Sequence, residues 1–230
     1  MATSGTTAFN LDLTEVVEEA FERCGAEVRS GYDLRTARRS LNLLFAEWAN
    51  RGINLWTVEQ GSIPFVTGTG TYDLPADTVD LLEHVIRTGA NVAATQADLN
   101  ITRISVSTYA TIPNKLTQAR PIQVYINRQA PTPNITVWPV PDASTTYTFV
   151  YWRLRRIQDA GSGVNTMDIP FRFLPCMVAG LAYHLSMKLP GGLERMQVLK
   201  MQYDESWEFA STEDREKAAI RFVPRQQFIS

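Results

Sequence analysis

The chain has 230 residues, of which 44% are apolar, 20% charged and 10% aromatic; this composition excludes general disorder and suffices for one large or two small domains. Its 22 basic and 24 acidic residues give a formal net charge of −2. This balance excludes binding driven mainly by neutralisation of phosphates along a nucleic acid, so any DNA contact is expected to be local.

The sequence shows no pattern typical of a membrane span, a signal peptide or a cysteine motif. No apolar run reaches the ~20 residues needed to span a bilayer, and the N-terminus lacks the basic start and apolar segment of a signal peptide. We therefore expect synthesis in the cytoplasm and no membrane association. Cys24 and Cys176 lie far apart in apolar, helical stretches, which predicts two reduced core residues.

The first predicted helix begins directly after Asp12, whose side chain is suited to cap it. Gly25 can supply the left-handed residue that ends the helix. Between them the apolar positions follow the i, i+3, i+4, i+7 spacing of an amphipathic helix. These positions are Leu13, Val16, Val17, Ala20, Phe21 and Cys24.

A second helix is predicted from about Asp33 to Arg51, with Gly52 as its terminator. The short connection between the two helices favours an antiparallel hairpin within residues 1–52. The apolar face of the second helix consists of Leu34, Ala37, Leu41, Leu44, Phe45 and Trp48.

Residues 53–157 change character, because β-branched and aromatic residues dominate and turn-forming residues punctuate short runs. This pattern predicts an antiparallel β domain. Both faces of its last strand carry large side chains, so that strand is expected in the middle of a sheet or against a neighbouring subunit. Gly89–Asp98 is predicted as a surface loop and Thr67–Thr71 as a hairpin turn. The predicted strands are Leu55–Gln60, Gly70–Leu74, Leu81–Thr88, Pro121–Asn127, Ile135–Pro139 and Thr145–Arg155.

Helical periodicity returns in residues 158–220. Residues 170–189 are apolar on nearly every side, so this helix belongs in a core or in an interface between subunits. Another helix is predicted from about Leu193, which starts its apolar face, and residues 221–230 fit an extended tail. The predicted fold class is α+β: N- and C-terminal helices form one helical bundle, with a central antiparallel β domain.

The chain shows no constellation of residues suited to chemistry, and we predict no enzyme and no catalytic, cofactor-binding or metal-binding residues. His84 and His184 have no neighbouring nucleophile or paired ligand, so both are interpreted as satisfied core or interface histidines. An acidic row on the first helix is interpreted as a solvated face, since a glycosidase acid needs burial to raise its pKa. This row consists of Glu15, Glu18, Glu19 and Glu22.

Two basic clusters could touch phosphate, but a solvated or salt-bridged surface is the favoured interpretation. The five tryptophans are spread along the chain, which favours core and interface anchors over a platform for stacking bases. The basic clusters are Arg35, Arg38 and Arg39 on the second helix and Arg153, Arg155 and Arg156 at a strand end.

Six short phrases follow one another along the chain: GYDLRTARRSLNLL at 31–44, WANRGINLW at 48–56, GTYDLP at 70–75, IPN at 112–114, ITVWP at 135–139 and DIPFRFLP at 168–175. Their layout resembles that of the head-to-tail adaptor proteins of tailed bacteriophages, also called connector, collar or tail tubular proteins. Short-tailed phages have the most similar pattern. The resemblance extends over about residues 10–224 and contains no catalytic signature.

The resemblance implies a virion structural protein, made in the host cytoplasm and located at the portal vertex between head and tail. Proteins of this kind form a ring, generally dodecameric, that seals the packaged head. The helical bundle packs around the ring, the β domain projects toward the tail nozzle, and DNA passes through the lumen during ejection without sequence-specific binding. The implied partners are identical copies, the portal protein and a tail nozzle or tail tubular protein.

The resemblance also implies that the C-terminal tail docks onto the portal. This tail has no helical period yet carries large apolar side chains, which we expect to anchor it, while its arginines meet acidic groups. The predicted portal-binding residues are Arg221, Phe222, Val223, Pro224, Arg225 and Phe228.

Two alternative functions stay open, a virion-associated peptidoglycan hydrolase and a DNA-binding accessory factor. Zymography on peptidoglycan distinguishes the hydrolase, and the scarcity of acidic residues in apolar surroundings weighs against it. A steep salt dependence of binding to duplex DNA distinguishes the accessory factor, because each neutralised phosphate adds to the slope.

Overall fold

The computed structural model describes residues 3–52, 55–90 and 92–215. The chain divides into two compact units, a helical unit drawn from Met1–Leu44 and Ala160–Ser230 and a sheet unit drawn from Phe45–Asp159. Helices from both ends of the chain flank a central β domain in sequence, which confirms the predicted α+β class.

The helices of the described residues are α1 (Leu13–Cys24), α2 (Gly31–Asn50), α3 (Val106–Ala110), α4 (Leu174–Ser186) and α5 (Met196–Glu213). Helices α1, α2, α4 and α5 lie where helical periodicity predicts them, with ends shifted by a few residues, whereas the short α3 lies within the segment predicted as the β domain. The strands are β1 (Val58–Pro64), β2 (Thr71–Asp73), β3 (Thr78–Thr88), β4 (Ala97–Asn100), β5 (Thr102–Ile104), β6 (Gln123–Asn127), β7 (Asn134–Trp138) and β8 (Tyr147–Arg155). Short 3-10 turns are Leu55–Thr57, Phe171–Phe173 and Gly192–Glu194.

Helix α1 begins and ends as its sequence predicts. The Asp12 carboxylate accepts a hydrogen bond from the Glu15 backbone N–H at 2.9 Å, and the Glu15 carboxylate accepts one from the Asp12 N–H at 3.0 Å. This reciprocal pair satisfies two donors that the first turn leaves free. Gly25 ends the helix in the left-handed conformation, with φ 76°, and its N–H donates to the Glu22 carbonyl.

The core of the helical unit is α4, whose residues are buried on every side. Among the described residues α1 packs along α4 rather than along α2, its neighbour in sequence, because α4 has no polar face to leave in water. The Cys24 thiol of α1 donates to the Ala182 carbonyl of α4 at 3.1 Å. Burial raises the pKa of the Cys24 thiol, which keeps it protonated. Cys24 and Cys176 are both buried and free, as predicted.

Gly180, at the centre of α4, allows two other helices to approach closely. A Cβ at this position would lie 2.9 Å from Leu44 of α2 and 2.9 Å from Tyr203 of α5. Such distances are well inside van der Waals contact, so any larger side chain would push the helices apart. At the end of α4, Lys188 donates to the Ser40 hydroxyl of α2 at 2.7 Å.

The sheet unit contains two four-stranded sheets, ordered β1-β8-β3-β4 and β2-β7-β6-β5. All pairs are antiparallel except β5 with β6. Strand β8 pairs with β1 on one side and with β3 on the other, which confirms its predicted central position. Strand β7 ends at Trp138, directly before the Pro139 that cannot donate to a ladder.

A single apolar cluster joins the two sheets. Alternate residues of β8 and of β6 and β7 point into it, as the period of two requires for strands with one face in a core. The cluster consists of Leu74, Leu81, Ile86, Ile101, Val124, Ile126, Ile135, Val137, Tyr147, Phe149 and Tyr151.

The prediction of a surface loop over Gly89–Asp98 is wrong at its end, and the strands β4 and β5 that follow were not predicted. Asp98 belongs to β4, where its carboxylate accepts two hydrogen bonds from Arg87 of β3 at 2.7 and 2.8 Å. Strand β4 lies at the edge of its sheet, and its burial pattern is mostly exposed. An edge strand needs few apolar residues, so its sequence resembles a loop.

The predicted hairpin turn at Thr67–Thr71 is also wrong, because the strands on either side of it belong to different sheets. β1 pairs with β8, whereas β2 pairs with β7. The glycines do form a turn, with Gly68 at φ 80° and its N–H bonded to the Pro141 carbonyl. The segment therefore carries the chain between sheets.

His84 of β3 is half-buried, and among the described residues its Nδ1 atom has no hydrogen-bond partner. The described residues therefore do not satisfy His84, and its place in an interface between subunits stays a prediction. Its ring lies 5.8 Å from that of Phe149, and it faces Tyr151 across the ladder. Burial lowers the pKa of His84, Glu83 opposes this shift and Arg103 adds to it.

Lowering the pH should destabilise the protein through His84. The unfolded chain takes up a proton near pH 6.5 that the folded protein resists, so the free energy of unfolding should fall as the pH drops below that value. Urea unfolding between about pH 8 and pH 5 measures this slope, and His84→Phe should flatten it. Because His184 is present in both proteins, equal slopes would contradict the assignment to His84.

Candidate functional site

The described residues contain no cluster of metal-binding side chains. Within residues 3–52, 55–90 and 92–215, no three His, Cys, Asp or Glu side chains are placed to hold a metal ion. No helix in the same ranges is long and apolar enough to cross a membrane. The exposed surfaces of each unit are therefore the features on which function can be argued.

The basic cluster at the end of β8 is held in ion pairs. Arg153 donates to Asp77 at 2.5 Å and to Glu59 at 2.8 Å, and Arg155 donates to Glu59 at 2.7 Å. Hydrogen bonding from Arg153 lowers the pKa of the Asp77 carboxyl, so the pairs stay charged at neutral pH. These contacts confirm the salt-bridged interpretation for Arg153 and Arg155, whose side chains join β8 to Glu59 of β1 and to Asp77.

A groove of about 430 Å³ runs between α1 and the start of α4, and we call it the acidic groove. Phe9, which lines the groove, pairs with Phe171 outside the lining, and the two ring centroids lie 6.4 Å apart in an edge-on arrangement. The acidic groove is lined by Phe9, Leu11, Glu15, Glu18, Glu19, Glu22, Arg23, Leu174, Pro175 and Val178.

The four glutamates of the acidic groove differ in whether they have a hydrogen-bond or ion-pair partner. Glu15 caps α1, and Glu19 forms an ion pair with Arg23 at 2.8 Å. Glu18 and Glu22 are exposed and have no ion-pair partner among the described residues. This exposure agrees with the solvated face predicted for the row and does not supply the burial that a glycosidase acid requires. The groove itself was not predicted, because α4 completes it from a distant part of the sequence.

The outward face of α2 combines apolar and basic side chains at helical spacing, and we call it the α2 ridge. It consists of Tyr32, Arg35, Arg39 and Leu43, three and four residues apart. Tyr32 and Leu43 are 66% and 58% exposed, whereas the predicted apolar face is buried except at Leu34, which is only half-buried. Arg35 and Arg39 form no ion pair with any described residue. Large apolar residues away from the buried stripe were the sequence signal for this surface.

Helix α5 also exposes an apolar face. Val198, Met201 and Phe209 are each more than half exposed, although they share one side of the helix. Leu193, predicted to start the buried face, is exposed instead, because it lies in a 3-10 turn before α5 begins. The buried face of α5 consists of Leu199, Tyr203 and Ala210, as predicted.

The predicted portal-binding residues lie outside the described residues. These residues are Arg221, Phe222, Val223, Pro224, Arg225 and Phe228. Their role therefore stays a prediction.

Comparison with known proteins identifies the family of this chain. Residues 11–221 match the family described as SU10 adaptor protein, so the match includes both units. No curated protein matches the chain.

The exposed aromatic residue Phe171 should contribute little to folding, in contrast to its buried neighbour Phe173. Phe173 has no exposed surface and packs edge-on against Trp207, whereas Phe171 is 69% exposed. Phe173→Ala should lower the free energy of unfolding by about 3–5 kcal/mol, and Phe171→Ala should change it by less than about 0.5 kcal/mol. Chemical denaturation measures both. A large loss with Phe171→Ala would show that this ring serves folding rather than contact with a partner.

Proposed function

Because the chain belongs to the SU10 adaptor protein family, a family of structural phage proteins of the head-to-tail junction, we propose that it forms the ring between the portal and the tail nozzle. The ring closes the packaged head and continues the DNA channel toward the tail. The proposed copy number is twelve, and the proposed partners are the portal protein and a tail nozzle or tail tubular protein.

The observation that carries this proposal is the set of outward apolar faces on the helical unit. The aromatic pair at the acidic groove, the α2 ridge and the outward side of α5 all expose large apolar side chains. A protein that works alone gains nothing from such faces, whereas a ring protomer covers them with neighbours and a docking platform. These surfaces lie on different elements, as heterologous contacts in a ring require.

The charge balance also supports a conduit for DNA. A net charge of −2 gives the chain no strong attraction for phosphates, so a duplex can slide past it. The described arginines of β8 are occupied by carboxylates, which leaves them poorly suited to hold DNA. We therefore propose that DNA passes through the lumen without sequence-specific binding.

The proposed anchor on the portal is the tail at residues 221–230, whose large apolar residues follow the last described helix. The pattern suits an extended segment that binds a partner by burying its apolar side chains there. A chain ending after Ile220 should therefore lose binding to purified portal, while its thermal unfolding stays that of the full chain. Affinity measured by biolayer interferometry tests this expectation.

Two matched double variants test whether the apolar side chains of the tail, rather than the tail as a whole, are needed for portal binding. Phe222→Ala with Phe228→Ala should weaken portal binding by about a hundredfold, because each removes a large buried contact. Gln226→Ala with Gln227→Ala changes the same tail without removing an anchor and should weaken binding by less than about threefold. Portal binding that survives the truncation would contradict the docking proposal.

A further inference from the structure

We infer that the ring forms by seating the α2 ridge of one copy in the acidic groove of the next copy. The inference rests on the proposed ring and names the contact that closes it. Both surfaces belong to the helical unit and leave large side chains exposed. The neighbouring copy is thus the proposed occupant of the groove.

Opposite charge is the first argument for this pairing. The acidic groove contains four glutamates and one arginine, a formal charge of −3, and its arginine is already paired with Glu19. The α2 ridge contributes Arg35 and Arg39, which form no ion pair within the described residues. Bringing the two surfaces together provides partners for charges that each copy alone leaves to solvent.

The spacing of the charges supports the same contact. Glu18 and Glu22 are four residues apart on α1, and Arg35 and Arg39 are four residues apart on α2. Each pair is therefore separated by about 6 Å along its helix axis. When α2 of one copy lies beside α1 of the next, both arginines can face a glutamate at once.

Apolar side chains flank the charges on both surfaces. Tyr32 and Leu43 stand at the two ends of the α2 ridge, and the apolar residue Phe9, which pairs with Phe171, lines the acidic groove. Apolar contact supplies the stabilisation that exposed ion pairs alone do not, since such pairs typically contribute under ~1 kcal/mol each. The glutamates and arginines then set which surfaces meet and in which register.

The pairing also explains why neighbouring copies would meet through two different surfaces rather than through the same one. Two acidic grooves repel each other, as do two α2 ridges, so neither surface pairs with its own kind.

Charge reversal tests the contact in the full chain, assembled on purified portal. A groove variant with Glu18→Lys and Glu22→Lys and a ridge variant with Arg35→Glu and Arg39→Glu should each raise the concentration for half-maximal assembly by at least about tenfold. An equimolar mixture of the two should assemble again, because each lysine groove now meets a glutamate ridge. Copies per portal are counted by native mass spectrometry.

A control in the sheet unit carries the same charge change outside the proposed contact surfaces. Asp73→Lys with Glu83→Lys alters two exposed residues and should leave assembly within about twofold of the unaltered chain. If the reversed variants assemble as well as the control, or if their mixture stays unassembled, the groove–ridge contact is wrong. If the unaltered chain itself builds no ring on the portal, the proposed function fails instead.

Discussion

The enclosure of α4 is the constraint on which the helical unit depends. Cys176, Met177, Val178 and Ala179 follow one another through more than a full turn, and each is at most 2% exposed. A helix without a polar face is stable only when neighbours cover every side of it. Helices α1, α2 and α5 cover most of it, and Gly180 leaves room for the side chains of Leu44 and Tyr203. The two ends of the chain are therefore brought into one unit by the apolar helix between them.

The helices that cover α4 use only one face for this purpose, and their outward faces determine what the protein can bind. On α1 these faces are acidic, on α2 they combine arginine with Tyr32 and Leu43, and on α5 they are apolar. Such residues add little to folding while they are exposed, yet they bury a large area once another surface meets them. Because the acidic and basic faces differ, the proposed association of identical copies joins one face to the other, as a closed ring requires.

Local signals made part of this molecule predictable from its sequence. Both ends of helix α1 could be predicted, because Asp12, the apolar spacing and Gly25 all lie within fourteen consecutive residues. Strand β4 was not, because an edge strand stabilised by Asp98 and Arg87 is polar enough to resemble a loop. Sheet membership around Thr67–Thr71 depends on partners far along the chain. The acidic groove escaped prediction for the same reason, since α4 supplies its second wall.

The central claim is that identical neighbours complete the outward faces of the helical unit at the junction of head and tail. A three-dimensional reconstruction of the portal vertex in intact virions, by electron microscopy without imposed symmetry, tests it most directly. The account predicts a closed ring of this chain below the portal, with α2 of each copy lying beside α1 of the next. A vertex without the chain, or a ring in which these helices face solvent, would contradict it.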